Sequence, residues 1–164
     1  MPQARALVIG CGNLLRGDDA AGPTLVHRLG HRGLPNGVRC IDGGTGGMDV
    51  VERMRRVPEV ILVDACLTGA EPGTIFELPG DELATLPPPA RIDPHAFRWD
   101  HALAVAPRLL GAGHPGRVTA VLIEGATFAL GASLSPAVDR AIDVVAEALR
   151  ARFGAAAAGG APCA

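Results

Sequence analysis

The chain has 164 residues, enough for one domain with a substantial core, and 48% of them are hydrophobic. Its net charge of −2 gives no reason to expect nucleic acid or an acidic membrane as a partner. All 15 basic residues are arginine, which with the abundant Ala, Gly and Pro reads as compositional bias and carries no function. Cys11, Cys40, Cys66 and Cys163 are scattered without a C-x-x-C pair. That argues against a zinc finger or a disulfide scaffold and fits a reducing compartment.

The first predicted strand covers about Ala4 to Gly10. No basic segment with an apolar core and cleavage site precedes it, so no signal peptide is expected, and the location read from this is cytoplasmic. No apolar run reaches the ~18 residues that would span a bilayer. After the strand comes Gly10-Cys11-Gly12-Asn13-Leu14-Leu15-Arg16-Gly17-Asp18-Asp19. A dinucleotide fingerprint fails here, because the third glycine would fall at Leu15, and no Gly-Lys-Ser/Thr follows to make a P-loop. A tight turn with an Asp helix cap and a metal or catalytic site using Asp19 both remain open. A helix then places Ala21, Leu25, Val26 and Leu29 at helical spacing, and Gly30 and Gly33 end it.

Val38 to Ile41 reads as a second strand running into Asp42-Gly43-Gly44-Thr45-Gly46-Gly47, with a helix from Met48 to about Arg56. Glu59 to Asp64 is the central buried strand. Thr74 to Leu78 is an additional strand, placed antiparallel at an edge. Pro79 to Pro94 reads as a surface loop that could cover the site, since Pro87-Pro88-Pro89 cannot be helix interior. Pro94-His95 opens a helix to about Leu110, with Leu103 and Leu109 as core candidates and Pro107 as a kink or early end. Val118 to Glu124 is another buried strand. Ser135-Pro136 caps and starts the last helix, whose stripe is Val138, Ile142, Val145 and Leu149. Residues 1–153 are expected to form a single domain and 154–164 a disordered tail. Alternating strands and helices predict a three-layer α/β/α sandwich with a mostly parallel central sheet.

In such a sheet the carboxyl ends of the strands converge on one crevice. Asp18-Asp19, Asp42-Gly43-Gly44-Thr45 and Asp64 all fall there. Carboxylates alone suit a hard cation, whereas one added imidazole suits zinc, nickel or iron. His95 and His101 are the candidate imidazoles. His27, His31 and His114 lie in or near helix ends away from the cleft. No G-x-S-x-G supports a serine triad. Cys11 and Cys66 look like small core residues. Asp18 is a candidate base or a helix cap.

These motifs together resemble the hydrogenase maturation proteases. They are Gly10-x-Gly12-Asn13-Leu14-x-x-x-Asp18-Asp19-x-x-Gly22, Asp42-Gly43-Gly44-Thr45, Val63-Asp64-Ala65 with Pro72-Gly73-Thr74, a histidine before a helix, and Leu134-Ser135-Pro136. The likeness runs from about Ala6 to Leu149. It implies an aspartic-type endopeptidase that removes the C-terminal extension of a nickel-iron hydrogenase large-subunit precursor after nickel insertion. By motif, the nickel carried by that precursor would be held by Asp19, Asp64 and His95, with no permanently bound metal. Many relatives have Glu at the position of Asp19. The resemblance makes Asp42, Gly43, Gly44 and Thr45 the substrate-contacting loop. His95 is preferred to His101 because it follows Pro94 at the expected helix start. A non-catalytic docking module for a nickel-containing partner, and a small hydrolase of similar fold with its own divalent metal, are the alternatives.

Overall fold

A computed structural model describes residues 4–84 and 98–158. Five strands form one sheet in the order β2-β1-β3-β5-β4. They are β1 (Ala6–Cys11), β2 (Val38–Gly44), β3 (Glu59–Cys66), β4 (Ile75–Pro79) and β5 (Arg117–Glu124). The first three and β5 run parallel, and β4 lies antiparallel on the β5 edge, as its sequence suggests. The helices are α1 (Ala21–Arg32), α2 (Gly47–Met54), α3 (Gly80–Ala84), α4 (Trp99–Leu110) and α5 (Pro136–Ala158). None of the described helices is long and apolar enough to cross a membrane.

The parallel strands are apolar on both sides because helices cover both faces. Along β1 and β3 successive residues alternate between two cores. Val8, Ile61 and Val63 face α1 and α5, where Leu25, Leu29, Val138, Ile142 and Leu149 are buried. Leu7, Ile9, Val60 and Leu62 face α2 and α4, where Val50, Val51, Met54 and Leu103 are buried. This is the expected three-layer sandwich. On the solvent side of the α1–α5 seam, Arg28 pairs with Asp139 and Asp143, and Arg32 with Asp143 and Glu147.

Several boundaries differ from the sequence reading. The strand β2 continues through Asp42 to Gly44, so the glycine loop begins inside the sheet. Arg98 is extended and α4 starts at Trp99, not at Pro94-His95. Pro107 does not end α4, which continues to Leu110. A proline removes one ladder donor, and a helix already anchored on its buried face tolerates that near its end. Leu109 is half-exposed and lies outside the core. The backbone of α5 remains helical past Gly154 to Ala158, where a disordered tail is expected. Alanine is the best helix former, and a single glycine costs only ~1 kcal/mol. Pro79 ends β4 and Gly80–Ala84 is a short helix; the remainder of the expected surface loop lies outside the described residues.

The strand order positions the site. The chain leaves β1 for β2 on one side and then crosses to β3 on the other. That makes the crevice beyond the carboxyl ends of β1 and β3 the topological switch point, where such sheets bind ligands. The register puts Asp42, Gly10 and Val63 in one row, so Asp64 stands one residue further towards the crevice.

Candidate active site

The turn after β1 is built by close backbone approach. A Cβ at Gly22 would lie 2.3 Å from the Cys11 carbonyl oxygen and 2.4 Å from that of Val63. Only a glycine there lets α1 begin against the ends of β1 and β3. Gly12 has φ +129°, and a Cβ on it would meet the Asp19 carbonyl oxygen at 1.9 Å. The chain therefore folds back on itself. The Asn13 N–H donates to Asp19 Oδ2 at 3.0 Å, so this half-buried carboxylate leans over the end of β1.

Asp64 comes from the rigid end of β3 and is almost wholly buried. Its Oδ1 accepts the Ala65 N–H at 2.8 Å and lies 3.5 Å from where a Cβ on Gly12 would stand. Its Oδ2 accepts Arg98 Nη2 at 2.9 Å and the Trp99 indole Nε1 at 2.7 Å. Burial pushes the Asp64 carboxyl up to about 6, with the Asp19 charge adding to the rise. The indole, the guanidinium and the Ala65 amide oppose it. The group remains ionised at neutral pH. Asp19 and Asp64 thus flank Gly12, the first through its backbone carbonyl and the second through Oδ1, and the Asp19 charge is felt at Asp64.

Asp18 is no base. It is fully buried, and its two oxygens accept the N–H groups of Ala126 (2.7 Å), Thr127 (3.1 Å) and Ser135 (2.6 Å). Burial would raise its pKa, but the Ser135, Ala126 and Thr127 amides outweigh it and hold the carboxyl below the ordinary range. The carboxylate ties the acidic turn to the β5–α5 connection. Ser135 in turn accepts the Val138 N–H, the helix cap its sequence predicts.

The Asp42–Thr45 loop adjoins the same turn. Gly44 carbonyl accepts the Gly12 N–H at 2.9 Å, and Asp42 Oδ1 accepts the Gly44 N–H at 2.8 Å. A Cβ on Gly43 would stand 2.6 Å from Ile9 Cγ2, so the loop is pressed on the end of β1. Asp42 and Thr45 are exposed at the crevice rim. Leu14, Leu15 and Leu130 are also exposed there, and the Gly131 N–H donates to the Leu15 carbonyl at 2.8 Å.

Two residues of the site went unread in sequence. Glu124 ends β5 after the apolar run Val121-Leu122-Ile123, two positions beyond the level of Asp64 on β3, and the signal of an acid after an apolar run could have found it. It is buried and accepts the Thr68 and Gly69 N–H groups, the Thr68 hydroxyl and the Cys66 thiol. Burial together with Glu124 pushes the Cys66 thiol up to about 12, and burial above all raises that of Cys11. Both thiols are held in the neutral form. Arg98, the counter-ion of Asp64, had no signal beyond its place ahead of α4.

His95 lies outside the described residues. His101 stands in the first turn of α4, the turn whose Trp99 reaches Asp64. No group of three His, Cys, Asp or Glu side chains able to hold a metal occurs among the described residues. A cleft of about 540 Å³ lined by Pro79, Asp81, Leu103, Pro107 and His114 lies at the opposite, amino end of β5 and touches neither Asp19 nor Asp64.

The model of the hydrogenase maturation protease family matches residues 23–151. The hydrogenase 2 maturation protease of Escherichia coli is 32% identical over 145 residues, covering 87% of each chain. The chain belongs to the hydrogenase maturation protease family. The hydrogenase expression/formation protein HupD of Rhodobacter capsulatus is 32% identical over 89% of this chain and 70% of its own. Among solved structures, the hydrogenase maturating endopeptidase HybD from E. coli superposes with a TM-score of 0.77 at 30% identity, over 93% of both chains. The chain is therefore a peptidase of hydrogenase maturation.

Proposed function

We propose that this protease removes the C-terminal extension of a nickel-iron hydrogenase large-subunit precursor after nickel has been inserted. The observation that carries the reading is the pairing of Asp19 and Asp64 across Gly12 at the switch point. Two carboxylates of this kind bind a cation but leave its coordination incomplete. His95 completes the set in this reading, and the ion is the precursor's own nickel. A metal held between carboxylates and an imidazole polarises a peptide carbonyl or activates water. Cleavage is then a checkpoint on metal insertion. The exposed Asp42-Gly43-Gly44-Thr45 loop, with Leu14, Leu15 and Leu130 nearby, is the surface over which the precursor's chain passes. A cytoplasmic site of action belongs to the same reading, supported by the unpaired thiols Cys11, Cys40 and Cys66.

The test is incubation with nickel-loaded and nickel-free precursor side by side, followed by mass measurement. The loaded precursor is expected to lose its extension and the empty one to stay intact. Equal cutting of both defeats the checkpoint. Exchanging residues 42–45 with those of a relative serving another hydrogenase is expected to change which precursor is cut.

A further inference from the structure

Among the described residues, Arg98 is the contact of Asp64 that comes from a half-exposed side chain. Its neighbour Trp99 is buried and 5% exposed, so the backbone is anchored beside the site. The Arg98 side chain is half-exposed, reaches in from solvent to Asp64 Oδ2, and also lies 3.8 Å from Asp100 Oδ1. A guanidinium stays charged at any physiological pH. A dication at Asp64 would meet that charge within a few ångströms, whichever carboxylate oxygen it used.

We infer that Arg98 determines metal specificity: it is a counter-charge that holds Asp64 against free divalent cations, so that the site accepts metal only from the substrate. The inference rests on the nickel checkpoint proposed above. Without a cation in place, the Asp19 and Asp64 carboxylates would attract stray dications from solution. With Arg98 on Asp64, a hydrated dication is repelled. A metal already surrounded by anionic groups of a polypeptide carries a smaller net charge, and the polypeptide's other contacts help displace the guanidinium. The flexible arginine stem lets the head swing towards solvent while Trp99 stays in place.

The experiment is titration of tag-free protein with free Ni²⁺ by calorimetry, with indole emission followed in parallel. Trp99 is the chain's single tryptophan and donates to the same carboxylate oxygen, so its emission reports on Asp64. Removing one unit charge beside a dication is expected to tighten binding roughly tenfold or more in Arg98→Ala. Arg98→Gln, which keeps most of the stem, should behave alike. Arg98→Lys keeps the charge and should stay near the wild type. The gain should vanish in the double variant Arg98→Ala/Asp64→Asn. Binding no tighter in Arg98→Ala and Arg98→Gln than in the wild type overturns the inference. So does a gain that survives Asp64→Asn, or an Arg98→Lys protein that binds as tightly as Arg98→Ala. The titration needs no precursor, so equal cutting of loaded and empty precursor would sink the checkpoint without altering this result.

Discussion

Asp64 and Glu124 stand near the carboxyl ends of adjacent parallel strands, and both are buried. Their surroundings differ in kind. Glu124 is enclosed by the backbone N–H groups of Thr68 and Gly69, with a hydroxyl and a thiol beside them, and is held below the ordinary carboxyl range against the pull of burial. Asp18 is enclosed in the same way by three amides. Asp64 has one such amide and owes its other contacts to the side chains of Arg98 and Trp99. Backbone donors cannot leave without unfolding a turn, whereas a half-exposed side chain such as Arg98 can give way to another ligand. A buried carboxylate closed by amides is therefore part of the construction, and one closed by side chains is available for chemistry.

The largest expected effect separates these two classes directly. Asp64→Ala should reduce processing of nickel-loaded precursor roughly a hundredfold or more while circular dichroism stays unchanged, because it removes the ligand proposed for the precursor's nickel and not a scaffold contact. Normal processing by the folded variant would break the distinction. Asp18→Ala should do the reverse. It takes the acceptor from three part-buried N–H groups and should destabilise the protein by roughly 3 kcal/mol. For a chain of this length that lowers the melting temperature on the order of 10 °C, measurable by calorimetry. Its remaining activity should follow the folded fraction.

The pH dependence of stability gives a finer comparison. Asp64 titrates at about 6 in the folded protein, above its ordinary value of 3.8. Its neutral form is the favoured one, so its contribution is present below about pH 4 and is lost as the pH rises towards 6. Relative to Asp64→Asn, the metal-free wild type should lose on the order of 3 kcal/mol across that window in urea unfolding. Asp18 works in the opposite sense, because its folded pKa is depressed. Its contribution is present above about pH 4 and is lost as the pH falls through the lower folded value. Glu124→Gln should produce the smallest change. One amide hydrogen pair replaces a lone-pair acceptor against the Thr68 and Gly69 donors, and the melting temperature should drop by less than in Asp18→Ala.

Much of the scaffold was legible because it is local. The runs Leu7 to Ile9 and Val60 to Val63 announce strands covered on both faces, and Ser135-Pro136 announces a helix start. The glycines at 10 and 12 announce a tight turn, whereas the need for Gly22, 2.3 Å from the Cys11 carbonyl oxygen were it to carry a Cβ, shows only in the fold. The roles of the acids were less legible because they depend on partners far along the chain. Asp18 and Asp19 are indistinguishable as neighbours in sequence. They part only when Ala126, Thr127 and Ser135 arrive beside one of them. The start of α4 was misplaced because Pro94 is a good first helical residue, and nothing local tells that Arg98 is extended and Trp99 is drawn to Asp64.

The amides that enclose Asp18 lie 108 to 117 residues downstream of it. On a ribosome the acidic turn is made early, and the segment that shapes it emerges much later. The strand β5, which completes the sheet beside Asp64, comes from that same late stretch. Until the β5–α5 connection has been synthesised, a nascent chain holds both acids of the site but not the arrangement that makes them one. The arrangement around Asp18 and Asp64 is therefore complete only once the chain has been made as far as Ser135.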